Sequence, residues 1–142
     1  MEIYLDNAAT TKLAPEVKKT MASFQELHFA NGSSLYRLGL EVAKQIEKSR
    51  IVIAKKINAD PEEIFFTSGG TESNNFAIKG IAFTNNNTKR NHIITSKIEH
   101  PSLIEPTKWL KKQGFRVTYL PVDREGLVDP GDVRKAINNK TI

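Results

Sequence analysis

The 142 residues contain no cysteine, which excludes disulfides, thiolate metal ligands and a thiolate nucleophile from this stretch of chain. The three histidines, His28, His92 and His100, stand apart without metal-ligand spacing, so no metal is expected. No run of about 18 apolar residues occurs, so no membrane-spanning helix is expected. The opening residues, Met1-Glu2-Ile3-Tyr4-Leu5-Asp6, lack the basic-then-apolar order of a secretory signal, and a cytoplasmic protein is expected. The net charge is +5, but lysines such as Lys18, Lys44, Lys55 and Lys111 are scattered rather than blocked. With no aromatic residues interleaved among them, nucleic acid is not an expected partner. Repeats, low-complexity tracts and internal linkers are also missing. What remains is 39% hydrophobic and 26% charged, the balance of a globular chain of one-domain length able to bury a core.

The most informative stretch is Thr67-Ser68-Gly69-Gly70-Thr71-Glu72-Ser73. It follows the apolar run Glu63-Ile64-Phe65-Phe66 and precedes a helical pattern, so it reads as a strand-to-helix turn. Adjacent glycines allow a sharp turn and the close approach of a ligand. The first turn of the helix offers unpaired N–H groups at its positive end, where an anion such as phosphate can sit, with the Thr71 or Ser73 hydroxyl as a further donor. No Gly-Lys-Ser/Thr follows, so this is not a Walker motif.

Along the chain, Ile3-Tyr4-Leu5 leads into the small polar segment Asp6-Asn7-Ala8-Ala9-Thr10-Thr11. Pro15 fits the first position of a helix carrying Val17, Met21, Phe24 and Leu27 at spacings of three and four. Asn31-Gly32-Ser33-Ser34 reads as a turn-rich loop. Leu40 to Ile57 is an amphipathic helix that ends before Pro61. After the glycine turn, a helix from Thr71 to Thr84 is apolar on most sides and is expected to be buried. Thr84 to Thr88 reads as a surface loop. His92 to Thr95 is a strand entering Ser96-Lys97-Ile98-Glu99-His100-Pro101. The helix that follows runs to about Gln113, regular from Pro106, with Gly114 as its stop. Phe115 to Leu120 is a strand, Asp129-Pro130 starts a helix through Ile137, and Thr141-Ile142 begins another strand. Strands alternating with helices predict an α/β fold with a mainly parallel sheet. Ligands collect at the carboxyl ends of such strands, where the glycine turn and His100 both fall and can line one pocket. His100 can stack on a planar ligand or transfer protons; equally, it can simply satisfy the helix start at Pro101. Asn7 and Asn31 read as turn residues.

Taken together, these segments resemble one family. Tyr4-Leu5-Asp6-Asn7-Ala8-Ala9-Thr10-Thr11 is similar to the opening motif of cysteine desulfurases, pyridoxal-phosphate enzymes of aminotransferase class V. Asn31-Gly32-Ser33-Ser34-Leu35-Tyr36-Arg37-Leu38-Gly39 resembles the family's Asn-Pro-Ser-Ser-x-His-x-x-Gly loop, with Gly32 and Tyr36 in place of Pro and His. Phe65 to Asn74 is similar to its phosphate-binding turn almost letter for letter. Ile93 to His100 resembles the segment carrying its ring-stacking histidine.

The resemblance implies a fold-type I (aspartate-aminotransferase-like) architecture. Residues 1–14 would be an N-terminal arm joining the small domain, and residues 15–142 the first part of the cofactor-binding large domain, incomplete at the C-terminus. It implies that Gly70 and Thr71 hold the phosphate of pyridoxal 5'-phosphate and that His100 stacks on its ring and assists protonation. Asn7, Ala8 and Asn31 would lie near the substrate side or the dimer interface. The implied substrate is L-cysteine, desulfurised to L-alanine with an enzyme persulfide passed to iron–sulfur scaffold or other sulfur-acceptor proteins by a homodimer. Neither the Schiff-base lysine motif nor the catalytic cysteine occurs within the 142 residues. The chain therefore reads as an N-terminal portion, inactive alone. The alternatives are a selenocysteine lyase or other class V enzyme and, in another class, a non-catalytic remnant or one part of a split enzyme.

Overall fold

The computed structural model describes residues 3–85 and 90–142, so the expected loop at Thr84–Thr88 falls mostly outside the described residues. The chain divides into two compact units, Met1–Phe65 and Phe66–Ile142.

The first unit is helical. Helix α1 spans Pro15–Leu27 with proline at its start, and α2 spans Arg37–Ile57, three residues earlier than its apolar pattern predicts. Helix α2 stops where Asn58 turns left-handed, φ 55° and ψ 48°, a conformation asparagine tolerates better than most residues. A single 3₁₀ turn, Pro61–Glu63, follows, with the Asp60 N–H donating to Glu63 Oε2 at 2.9 Å. The strand expected over Glu63–Phe66 does not form. Glu63 closes the 3₁₀ turn, and the Ile64 carbonyl accepts from the Arg50 guanidinium of α2 instead of from a neighbouring strand. Residues 64–67 carry no regular secondary structure.

The second unit is α/β. It runs α3 (Gly70–Thr84), β1 (His92–Ser96), α4 (Pro101–Lys112), β2 (Arg116–Leu120) and α5 (Pro130–Ala136). Strands β1 and β2 are parallel, from His92 opposite Arg116 to Ser96 opposite Leu120, and α4 makes the crossover between them. On the other edge of β1, His92 makes a single parallel bridge to Thr141, within the segment where a C-terminal strand was expected to start; no strand is assigned there among the described residues. The core gathers Ala82, Leu110 and Phe115, with Ile78, Ile93 and Ile142 packed against them. Helix α5 starts as expected, Asp129 Oδ1 accepting from the Gly131 N–H at 2.7 Å.

Two expectations for the helices of this unit are corrected. Helix α3 is not buried all round: Ala82 is its one buried residue, whereas Phe76, Ile81 and Phe83 are 58%, 57% and 47% exposed. Helix α4 covers one side of it, where Phe83 meets the rings of Trp109 and Phe115 edge-on at 5.9 and 6.3 Å. Helix α4 is regular from Pro101, not from Pro106. Pro106 removes one backbone donor inside the helix, but the His100 cap ahead of it and the burial of Thr107 and Leu110 behind it hold the helix through that defect. Thr107 also donates to the Ile104 carbonyl and accepts from the Tyr119 hydroxyl at 3.0 Å, tying α4 to β2.

His92, 4% exposed, joins three segments of the sheet. The Asn138 side chain is oriented by the Lys140 N–H on its Oδ1, so its Nδ2 donates to His92 Nδ1 at 3.0 Å. Thr141 Oγ1 adds a contact to Nδ1 at 2.9 Å, and the ring proton on Nε2 donates to Thr118 Oγ1 at 2.8 Å. The ring is therefore held neutral, and its pKa is lowered by burial first and by the Arg116 charge second. A histidine with a depressed folded pKa contributes stability that is fully present above its ordinary value of 6.5 and is lost as pH falls through the folded value. Accordingly, the stability gap between wild type and His92→Gln in urea titrations is expected to be wider at pH 7.5 than at pH 5.5; a gap independent of pH would contradict the buried neutral ring.

Candidate cofactor site

The glycine turn lies ahead of α3. Gly69 is the N-cap residue with extended backbone, and a Cβ placed on Gly69 or Gly70 would meet nothing within 4 Å. The space in front of the helix is open. The N–H groups of Gly70, Thr71 and Glu72 find no acceptor among the described residues, as the geometry of a helix start requires. Around them the turn is closed by its own side chains. Thr67 Oγ1 donates to the Gly69 carbonyl at 3.2 Å and lies 2.6 Å from Ser73 Oγ. Glu72 Oε2 accepts from the Ser68 N–H at 2.6 Å and from the Ser68 hydroxyl at 2.7 Å. These two bonds, the hydroxyl first, hold the Glu72 carboxyl below its ordinary pKa, so it is ionised and tied back onto Ser68 at neutral pH. Open space, three unpaired donors and the positive end of a 15-residue helix suit a phosphate group.

His100 follows the carboxyl end of β1. Ser96 Oγ donates to Glu99 Oε1 at 2.9 Å across the intervening turn. His100 caps α4, its Nδ1 accepting from the Ser102 N–H at 3.1 Å. The capping role and the ligand-facing role anticipated for this residue are thus one arrangement: the cap fixes the ring on the wall of a cleft. That cleft, of about 660 Å³, runs between α3 and α4, and its lining includes both Thr71 and His100 together with Asn75, Lys79 and Trp109. Its size is that of small-molecule sites in general. Lys79 Nζ stands 4.8 Å from the centre of the Trp109 ring, and Lys108 pairs with Glu105 at 2.7 Å.

Of the predicted site residues, the structure brings Thr71 and His100 to one cleft; Gly70, the first residue of α3, precedes Thr71 and is not part of the cleft lining. Asn7, Ala8 and Asn31 belong to the first unit. Asn7 and Ala8 lie in a turn closed by the Ala9 N–H on the Asp6 carbonyl at 3.1 Å. Asn31 Oδ1 accepts from the Ser33 N–H at 2.9 Å, and its carbonyl accepts from the Ser34 N–H at 3.0 Å. Ser102 and Asn74 went unanticipated: Asn74 Nδ2 donates to Ser102 Oγ at 2.8 Å, a contact between residues 28 positions apart that no local pattern signals.

The aminotransferase class-V family model matches residues 3–142. The chain belongs to that family. Among its class-V relatives, the protein named cysteine desulfurase IscS from Dictyoglomus turgidum is 55% identical over 141 residues, which are 99% of this chain and 36% of the relative. The mitochondrial cysteine desulfurase of Candida albicans is 46% identical over 141 residues, 99% of this chain and 29% of that protein. Of solved class-V structures, a NifS-like protein superposes with a TM-score of 0.93 at 37% identity, covering 100% of this chain and 39% of its own. SspA in complex with cysteine gives 0.88 at 39% identity, covering 98% and 40%. The chain thus spans about a third of the curated class-V relatives it matches.

Proposed function

We propose that this chain forms the phosphate-binding and ring-stacking part of a class-V cysteine desulfurase. The observation that carries the proposal is the shared cleft: Thr71 at the start of α3 and His100 at the start of α4 line one space, in a chain whose relatives bear that enzyme's name. The bound group is pyridoxal 5'-phosphate, which supplies an electron sink to the amino-acid substrate. The Gly70 and Thr71 N–H groups and the Thr71 hydroxyl hold its phosphate, and the open space before Gly69 and Gly70 admits it without displacing a side chain. His100 stacks on the ring. With Nδ1 engaged by Ser102, its Nε2 is the position that carries and transfers a proton. Asn7, Ala8 and Asn31 serve the substrate side. L-cysteine is the substrate, supported by the solved relative in complex with cysteine. The working form is a cytoplasmic homodimer that passes sulfur to iron–sulfur scaffold or other acceptor proteins. The 142 residues hold no cysteine, so the thiolate that takes the sulfur lies outside them.

Equilibrium dialysis of the chain against pyridoxal phosphate, pyridoxal and inorganic phosphate tests the cradle, and alanine formation from cysteine tests the chemistry. Pyridoxal phosphate is expected to be retained, pyridoxal far less, and inorganic phosphate to compete; no alanine is expected from this chain alone. Equal retention of pyridoxal would remove the phosphate cradle. A Schiff-base absorbance band abolished by replacing one of the chain's own lysines would overturn the assigned division of roles.

A further inference from the structure

We infer that Ser102 and Asn74 are positioning residues that set the His100 ring against the anion cradle, an inference that rests on the cofactor assignment above. The His100 ring touches Ser102 twice: Nδ1 accepts from the Ser102 N–H at 3.1 Å and lies 2.8 Å from Ser102 Oγ. The Ser102 hydroxyl in turn accepts from Asn74 Nδ2 at 2.8 Å, which leaves its own proton to donate to Nδ1. An Nδ1 with donors on it cannot carry a proton, so the neutral ring is held as the Nε2–H tautomer. Nε2 has no partner among the described residues and is left for the cleft.

Location sets this serine apart from an ordinary helix-start serine. Ser102 is 9% exposed, so water does not readily replace its hydroxyl. Asn74 belongs to α3, one turn after Gly70 and Thr71. The chain Asn74–Ser102–His100 therefore runs from the helix bearing the phosphate donors to the ring that stacks, and it fixes the span between them. A cap made by the Ser102 N–H alone would hold the ring at one point and leave that span unset.

Two readouts on the whole chain test this. The first is the ring nitrogen spectrum of ¹⁵N-labelled His100 without any ligand. The second is dialysis affinity for pyridoxal phosphate and, separately, for inorganic phosphate. Wild type is expected to show an acceptor Nδ1 and a protonated Nε2. Ser102→Ala keeps the backbone donor on Nδ1 but loses the hydroxyl, so it is expected to shift the Nδ1 resonance from its wild-type position by admitting a fraction of the Nδ1–H tautomer, and to weaken pyridoxal phosphate about five- to tenfold, the effect of one lost partly buried hydrogen bond. Inorganic phosphate affinity is expected to stay unchanged, and Ser102→Thr to restore both properties. Asn74→Ala, which leaves the serine in place, is expected to shift both readouts in the same direction by less. Wild-type behaviour of Ser102→Ala in either readout overturns the inference, as does a parallel loss of inorganic phosphate, which would mark a distorted cradle instead. If wild type retains neither ligand, the cofactor assignment fails, while the ring spectrum still decides whether Ser102 holds His100.

Discussion

Gly70→Asp is expected to leave the fold as stable as wild type or slightly more so, while reducing affinity for pyridoxal phosphate at least tenfold. The two effects have opposite signs because they arise from the same feature. A Cβ at Gly70 meets nothing within 4 Å, so the substitution meets no steric penalty. An acidic side chain in the first turn of a helix complements the macrodipole by about 0.3–1 kcal/mol. That same carboxylate then occupies the positive end of α3 that the phosphate needs, and like charges about 4 Å apart at a protein surface repel by about 1–4 kcal/mol. The urea midpoint and the dialysis affinity, measured on one preparation, separate the terms. Gly70→Ala adds volume without charge and is expected to weaken binding much less. Unchanged affinity in Gly70→Asp would mean that the phosphate does not sit at this helix start.

Gly39→Ala is expected to destabilise the chain by about 2 kcal/mol, although alanine is the better helix former by about 1 kcal/mol. Gly39 is buried in the first turn of α2. A Cβ there would stand 2.5 Å from the Ser34 carbonyl oxygen, 2.7 Å from that of Asn31 and 2.8 Å from Ser34 Cβ. These atoms belong to a turn held by bonds from the Ser33 and Ser34 N–H groups to Asn31 at 2.9 and 3.0 Å, so they do not yield cheaply. Overpacking of this kind costs about 1–3 kcal/mol, and contact with backbone places it at the upper end. Gly80→Ala in α3 is the control: its Cβ meets nothing within 4 Å, and the substitution is expected to stabilise by up to about 1 kcal/mol. Urea midpoints moving the same way in both variants would contradict the close approach. The contact also gives a physical reason for the glycine that ends the Asn31–Gly39 segment: the turn rests directly on the helix at that position.

Features governed by neighbours within about four residues were legible in the sequence. Pro15 and Pro130 start their helices, Asp129 caps one of them, and the glycine turn opens onto α3 as its composition requires. The alternation of β1, α4 and β2 predicted a parallel pair, since parallel strands need a crossover. The glycine turn and His100 were expected to line one pocket because each was read as following a strand; Thr71 and His100 do line one cleft, although no strand precedes the glycine turn. Ile64 to Phe66 shows where local reading fails. Its apolar, β-prone residues read as a strand, but a strand also needs a partner, and Arg50 takes the Ile64 carbonyl from a helix 14 residues away in sequence. Burial of α3 failed for a related reason, because an apolar surface in the sequence does not say which neighbours cover it.

The sequence by itself determined which residues can cradle a phosphate: glycines, hydroxyls and a helix start are local chemistry, carried by Gly69, Gly70 and Thr71 wherever the helix lies. It also determined that no thiolate comes from these residues. Only the tertiary structure decided how His100 is held. Its tautomer depends on Ser102, the Ser102 hydroxyl on Asn74, and Asn74 on α3 packing beside α4. A hydrogen bond forms between atoms about 3 Å apart regardless of their separation along the chain. The proposed phosphate cradle therefore lies in seven consecutive letters, whereas the hydrogen bonds that hold the His100 ring exist only once two helices have met.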